Sequence, residues 1–134
     1  MKKIEHIGIA VNDIENSNKL FHALFNAPPY KQEVVVSENV ITSFFACGEN
    51  KIELLQGTSP ESAISKFIEK RGEGIHHIAF AVDDIVAEIK RLKSEGFELI
   101  HHEPKAGADN KIIAFLHPIS TNGVLIELCQ DKPE

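Results

Sequence analysis

The sequence predicts an α+β fold built from two copies of one strand-helix-three-strand (βαβββ) unit, and three observations carry it. The segment His6-Ile-Gly-Ile-Ala-Val-Asn-Asp-Ile14 returns as His77-Ile-Ala-Phe-Ala-Val-Asp-Asp-Ile85. Later in each copy, Lys51-Ile-Glu-Leu-Leu-Gln56 is echoed by Leu125-Ile-Glu-Leu-Cys-Gln130. After each opening histidine segment the apolar residues change from strand-like to helical spacing. An internal repeat of this kind limits the architecture more than composition does.

The first copy opens with an apolar strand over residues 4–11. Asn12-Asp-Ile-Glu15 supplies a capping residue and an early acid, after which Leu20, Phe21, Leu24 and Phe25 recur at helical spacing. Asn26-Ala-Pro-Pro29 ends that helix. Three strands follow, over residues 32–37, 40–47 and 51–56, with Gly48-Glu-Asn50 as the hairpin between the last two. Residues 58–73 form a connecting helix, with Ser59 as N-cap and Pro60 at the first helical position.

The second copy repeats this order. Residues 75–82 are its opening strand, and Asp83 or Asp84 caps a helix carrying Ile85, Ile89 and Leu92 that Gly96 stops. Short strands are expected over residues 97–101, 112–117 and 123–130. The first two flank a glycine-containing loop over 104–110, long enough to fold over a cavity. The tail from Asp131 to Glu134 reads as irregular. The modules then span roughly 1–57 and 74–131, each too small to be comfortable alone, so residues 1–134 are expected to form one domain.

Composition narrows the function classes. A 134-residue chain with 43% hydrophobic residues buries one core. No apolar run approaches the length needed to cross a bilayer, and Met1-Lys-Lys-Ile-Glu5 leads into a strand instead of a signal core, so a cytoplasmic protein with no membrane partner is expected. A net charge of -6 argues against nucleic acid as a partner. Cys47 and Cys129 lie in apolar strand-like stretches and read as reduced core thiols.

Strand alternation places His6, Gly8 and Ala10 on one face, and His77, Ala79 and Ala81 on the matching face of the other copy. Small residues beside each histidine leave space where a core packed for stability alone would carry Val, Ile or Leu. One buried histidine is most simply a hydrogen-bonded core group; recurrence at equivalent positions points to a metal ligand. Glu53 and Glu127 each interrupt an apolar strand. An inward carboxylate without a partner costs several kcal/mol or protonates, and a divalent cation would be that partner. An outward, solvated glutamate is the other reading of each. Two imidazoles and two carboxylates suit Co²⁺, Ni²⁺, Zn²⁺, Mn²⁺ or Fe²⁺, with positions left for water or substrate oxygens. His76 faces away from His77 and reads as structural, His22 as exposed, and His101, His102 and His117 as surface residues near the second-copy loop, with a place lining the cavity the other reading for one of these three.

The repeated unit resembles the vicinal oxygen chelate superfamily. The segment Pro104-Lys-Ala-Gly-Ala-Asp-Asn-Lys-Ile-Ile-Ala-Phe-Leu-His-Pro118 with Gly123-Val-Leu-Ile-Glu-Leu128 is similar to the methylmalonyl-CoA epimerases, as are Gly74-Ile-His-His-Ile-Ala-Phe80 and Lys51-Ile-Glu-Leu-Leu55. The resemblance implies a cupped eight-stranded mixed sheet around a divalent metal, often in a homodimer. It matches His6, Glu53, His77 and Glu127 to the metal ligands, with Co²⁺ the leading ion and Ni²⁺, Zn²⁺ or Mn²⁺ as alternatives, and it implies an acyl-CoA substrate. The family's reaction interconverts (2R)- and (2S)-methylmalonyl-CoA through an enolate.

The physics of that reaction asks for more than one base. A thioester α-proton is too weakly acidic for an unaided carboxylate, so charge growing on the enolate oxygen needs stabilisation. Inverting the carbon needs proton relays on opposite faces, because one base returning the proton to its own face changes nothing. Glu127 is the candidate for one relay. Some family members are proposed to use a glutamate where this chain has Thr42, on the face of Phe44 and Glu53 if the strands pair around Gly48-Glu49. A threonine is no general base at neutral pH, so a water held by Thr42, or Glu53 itself, would serve. Lys105 is the candidate for a substrate carboxylate or CoA phosphate.

Three other readings stay open. Glyoxalase I uses a two-His, two-Glu site on the same fold to isomerise hemithioacetals. An extradiol-type dioxygenase needs two histidines, one carboxylate and Fe²⁺, which a fourth ligand at Glu53 and the small size count against. A metal-free binding module of the same fold would sequester small molecules without chemistry.

Overall fold

Asp13 and Asp84 start the first helix of each copy by the same device. In the computed structural model, which describes residues 1–133, the Asp13 carboxylate accepts from the Glu15 and Asn16 N–H groups, and that of Asp84 from Ala87 N–H. These groups have no partner inside their helix, so a capping carboxylate satisfies them and meets the positive end of the helix dipole. Replacing Asp84 by alanine is expected to lower stability by about 1 kcal/mol, seen as a melting midpoint about 3–5 °C lower for a chain of this size.

The elements in order are β1 (Lys3–Ala10), α1 (Ile14–Phe25), β2 (Lys31–Val35), β3 (Val40–Cys47), β4 (Asn50–Gly57), α2 (Ala63–Arg71), β5 (Gly74–Ala81), α3 (Ile85–Ser94), β6 (Lys105–Ala106), β7 (Lys111–Leu116) and β8 (Ile126–Asp131). This is βαβββ twice with α2 between, as the repeat requires. Strand order is β2-β3-β4-β1 in the first copy and β5-β8-β7-β6 in the second, eight strands of a mixed sheet. β1 runs parallel to β4 and β5 parallel to β8, while β2-β3, β3-β4, β7-β8 and β6-β7 are antiparallel. No helix among the described residues is long and apolar enough to cross a membrane.

By contacts the chain forms two compact units, His6–His76 and Met1–Glu5 with His77–Glu134. In the first, one sheet face packs on α1 through Val11, Ile14, Phe45 and Leu54, with Phe21 and Phe25 against Phe45. Of the four apolar helix residues expected there, Leu20 and Leu24 turn to solvent instead. In the second unit the first residues of the chain join the later copy: Lys2 N–H donates to Ala81 O at 2.8 Å and Lys2 Nζ pairs with Asp83 at 3.1 Å. Its core is Val82, Ile85, Ile89, Leu92, Leu99, Ala114, Leu116 and Leu128.

The glutamines that close each repeat have a structural role that composition did not reveal. Gln56 Oε1 accepts from Ile14 N–H at 2.7 Å, and Gln130 Oε1 accepts from Ile85 N–H at 2.7 Å. Each ties the end of the glutamate-bearing strand to the start of its helix.

Four expectations are corrected. The N-cap of α2 is Ser62, whose Oγ accepts from Ile64 N–H, and not Ser59, because residues 59–62 first make a turn closed by Ser62 N–H to Ser59 O. The strand expected at 97–101 is only an isolated bridge between Leu99 and Leu116. The edge strand β6 instead lies inside the segment read as a loop, with Lys105 opposite Ile113. Cys47 is exposed because it ends β3 at the hairpin, opposite Asn50; Cys129 is buried, and neither is in a disulfide. The tail is part strand, since β8 reaches Asp131, whose carboxylate meets Lys111 Nζ; Glu134 lies outside the described residues.

Candidate metal centre

The first unit presents one histidine and one glutamate as a buried pair. β1 sets Gly8 beside Glu53 of β4, and β3 sets Phe44 opposite Glu53 on the other side. Gly8 has no side chain to crowd the carboxylate. His6 Nδ1 lies 3.0 Å from Glu53 Oε2, and the residues keep only 4% and 5% of their surface exposed. The outward, solvated reading of Glu53 is therefore not the one the fold adopts.

The second unit repeats the arrangement. Ala79 lies beside Glu127 in the parallel register of β5 and β8, and Phe115 lies opposite it on β7. His77 Nε2 is 3.2 Å from Glu127 Oε1, both residues being 5% exposed. The His77 ring also meets Phe115 edge-on at 5.5 Å between centroids.

Each pair offers a divalent metal an imidazole nitrogen and a carboxylate oxygen. Buried imidazole and carboxylate groups need polar partners, and in each pair they meet one another. Nitrogen and carboxylate donors together suit first-row divalent ions.

Thr42 lies on the same face as Phe44 and Glu53, as the hairpin count requires, since it stands opposite Leu55 while Phe44 stands opposite Glu53. It is 1% exposed, and among the described residues its Oγ1 has no hydrogen-bond partner. Lys105 is half-buried on β6; its partner Ile113 belongs to the apolar cluster of Ala79, Cys129 and Phe115, which places it on the His77 and Glu127 face. His22, His102 and His117 are exposed, and His117 caps a short 3-10 helix through Ile119 N–H. His76 packs edge-on against Phe67 at 5.1 Å. His101 is half-buried and not a surface residue: its Nδ1 accepts from Phe115 N–H at 3.1 Å.

Two residues around Glu127 escaped the sequence reading. The Cys129 thiol donates to Glu127 Oε2 at 3.2 Å, so both carboxylate oxygens are engaged. Alternation along β8 was the available signal, because residues two apart share a face. Glu5 is also buried, its carboxylate within 4.8 Å of Cys129 Sγ; like Glu53, it is an acid inside an apolar strand.

A family model described as the Glyoxalase/Bleomycin resistance protein/Dioxygenase superfamily matches residues 5–115. A Bacillus subtilis (strain 168) protein named as uncharacterized, YqjC, is 37% identical over 98% of this chain and 94% of its own length. The ethylmalonyl-CoA/methylmalonyl-CoA epimerase of Cereibacter sphaeroides is 37% identical over 96% of this chain and 97% of its own. Among solved structures, a variant of Streptomyces coelicolor methylmalonyl-CoA epimerase in complex with 2-nitronate-propionyl-CoA superposes with a TM-score of 0.92 at 31% identity. It covers 98% of this chain and 95% of that one.

Proposed function

The chain belongs to the glyoxalase/bleomycin resistance protein/dioxygenase superfamily and, within it, to the methylmalonyl-CoA epimerases, and we propose that it interconverts (2R)- and (2S)-methylmalonyl-CoA at one divalent ion held by His6, Glu53, His77 and Glu127. The observation that carries this reading is the duplicated pair: a buried imidazole 3.0 Å from a buried carboxylate in one copy and 3.2 Å in the other. Two such pairs offer two imidazole nitrogens and two carboxylates, a donor set that first-row divalent ions accept. On this reading the two copies act as one domain, and Co²⁺ is the ion proposed, with Ni²⁺, Zn²⁺ and Mn²⁺ suited to the same donors. When bound, the ion supplies positive charge beside the thioester oxygen as the α-proton leaves.

The chain's own residues do the rest. Glu127 takes or returns the proton on one face of the α-carbon, its orientation fixed by His77 and the Cys129 thiol. The opposite face is served through Thr42 and a water, or by Glu53. Gly8 beside Glu53 and Ala79 beside Glu127 leave room for the acyl group, and Lys105 pairs with a carboxylate or phosphate of the acyl-CoA. The same reading has the protein work as a cytoplasmic homodimer.

The test is to give each epimer separately to Co²⁺-loaded protein and to follow stereochemical conversion, with a hemithioacetal in a parallel reaction. Conversion in both directions is expected. Isomerisation of the hemithioacetal alone would move the chain to glyoxalase I, and inactivity on both substrates would leave a binding module.

A further inference from the structure

We propose that Glu33 is the terminal base for one face of the substrate, reached through the Thr42 hydroxyl and one bridging water. The inference deepens the epimerase reading and rests on it. Thr42 is nearly fully buried and its Oγ1 has no partner among the described residues. A buried hydroxyl without a hydrogen bond costs free energy, so its place in a fold asks for a ligand or a water. Directly opposite Thr42 in the β2-β3 register stands Glu33. Directly opposed residues of an antiparallel pair share a sheet face with Cβ atoms about 5 Å apart, a spacing that one water spans between a hydroxyl and a carboxylate.

The surroundings of Glu33 suit a base that exchanges with solvent. Its carboxylate lies 3.3 Å from Lys31 Nζ and its side chain is 31% exposed. Lys31 in turn sits over the Phe44 ring at 5.2 Å, on the face that carries Glu53. Glu53 itself is buried and paired with His6, whereas the Glu33 side chain is 31% exposed.

The second copy is a natural control. Its residue equivalent to Thr42 is Ile113, opposite Cys129, and its residue equivalent to Glu33 is Lys105. The hydroxyl and carboxylate are thus confined to one copy, while Glu127 belongs to the other, as a reaction with one relay per face requires. In the step, the α-carbon proton passes to the Thr42 oxygen as the hydroxyl proton moves to the water and the water gives a proton to the Glu33 carboxylate; the C–H electron pair stays on the substrate as the enolate. Glu127 then delivers a proton to the opposite face.

Deuterium wash-in at the α-carbon, measured on each epimer separately with Co²⁺-loaded protein in D₂O, tests the relay. Glu33→Gln and Thr42→Val are each expected to slow wash-in from the same one epimer by about 100-fold or more and to leave the other within about threefold, with melting curves like wild type; Thr42→Ser should keep both. Equal losses for both epimers, or no loss, would overturn the relay. Wild-type protein that exchanges neither epimer would bring down the epimerase reading and the relay with it, whereas exchange of both by wild type and by Glu33→Gln alike would remove the relay alone.

Discussion

Glu127→Gln is expected to lower epimerisation by about 10³-fold, within the range that a positioned acid-base group contributes. Glutamine keeps the shape of the side chain and its contact with the Cys129 thiol, but neither takes up a proton near neutral pH nor carries the charge that faces His77 at 3.2 Å. The variant should still fold, because the carboxylate is replaced by a polar group of equal size. Stereochemical conversion and the melting curve, measured on the same sample, separate loss of chemistry from loss of fold. A variant within about tenfold of wild type would take Glu127 out of the proton path.

Stripping the ion with a chelator is expected to have an effect at least as large, about 10³-fold or more in conversion, with recovery on adding Co²⁺. A thioester α-proton leaves only if the charge growing on oxygen is met by a preorganised positive group. The described residues place two carboxylates and two imidazoles at the paired positions, all of them donors to a divalent ion. A second readout does not involve activity. A ligand that binds only the folded state at 100 times its dissociation constant adds about 2.7 kcal/mol of stability, so the stripped protein should melt at lower temperature and recover with the ion. Full activity in stripped protein would contradict the role given to the pairs.

Much of the fold was written in the repeat. The strands bearing His6, Glu53 and His77 were found to within about a residue or two, because period-2 burial and an aspartate cap sit beside each other in both copies. β6 escaped because two residues, Lys105 and Ala106, are too short to show a period. The wrong cap for α2 has a similar origin: Ser59 and Ser62 both fit the local pattern. The turn over residues 59–62, closed by Ser62 N–H to Ser59 O, decides between them and delays the helix until Ser62 can cap it.

The candidate site was legible by type and not by environment. Alternation fixed which residues share a face, so the common side of His6 and Gly8, that of His77 and Ala79, and the facing of Thr42 followed from counting along strands, whereas the His6–Glu53 and His77–Glu127 pairs depend on which strands become neighbours. Hydrogen-bond partners did not follow. The backbone bond of His101 and the unpartnered hydroxyl of Thr42 depend on which neighbours arrive from elsewhere in the chain, which no local period encodes. Glu33 was missed for the same reason, as its relation to Thr42 appears only once β2 and β3 are in register.

The central claim is that the two His-Glu pairs hold a single ion. Calorimetric titration of Co²⁺ into stripped protein tests it most directly, with His6→Ala and His77→Ala beside the wild type. One ion per chain is expected, and each single substitution, though in a different copy, should weaken that same binding event strongly. Two ions per chain, no binding, or a variant that binds as wild type does would contradict it.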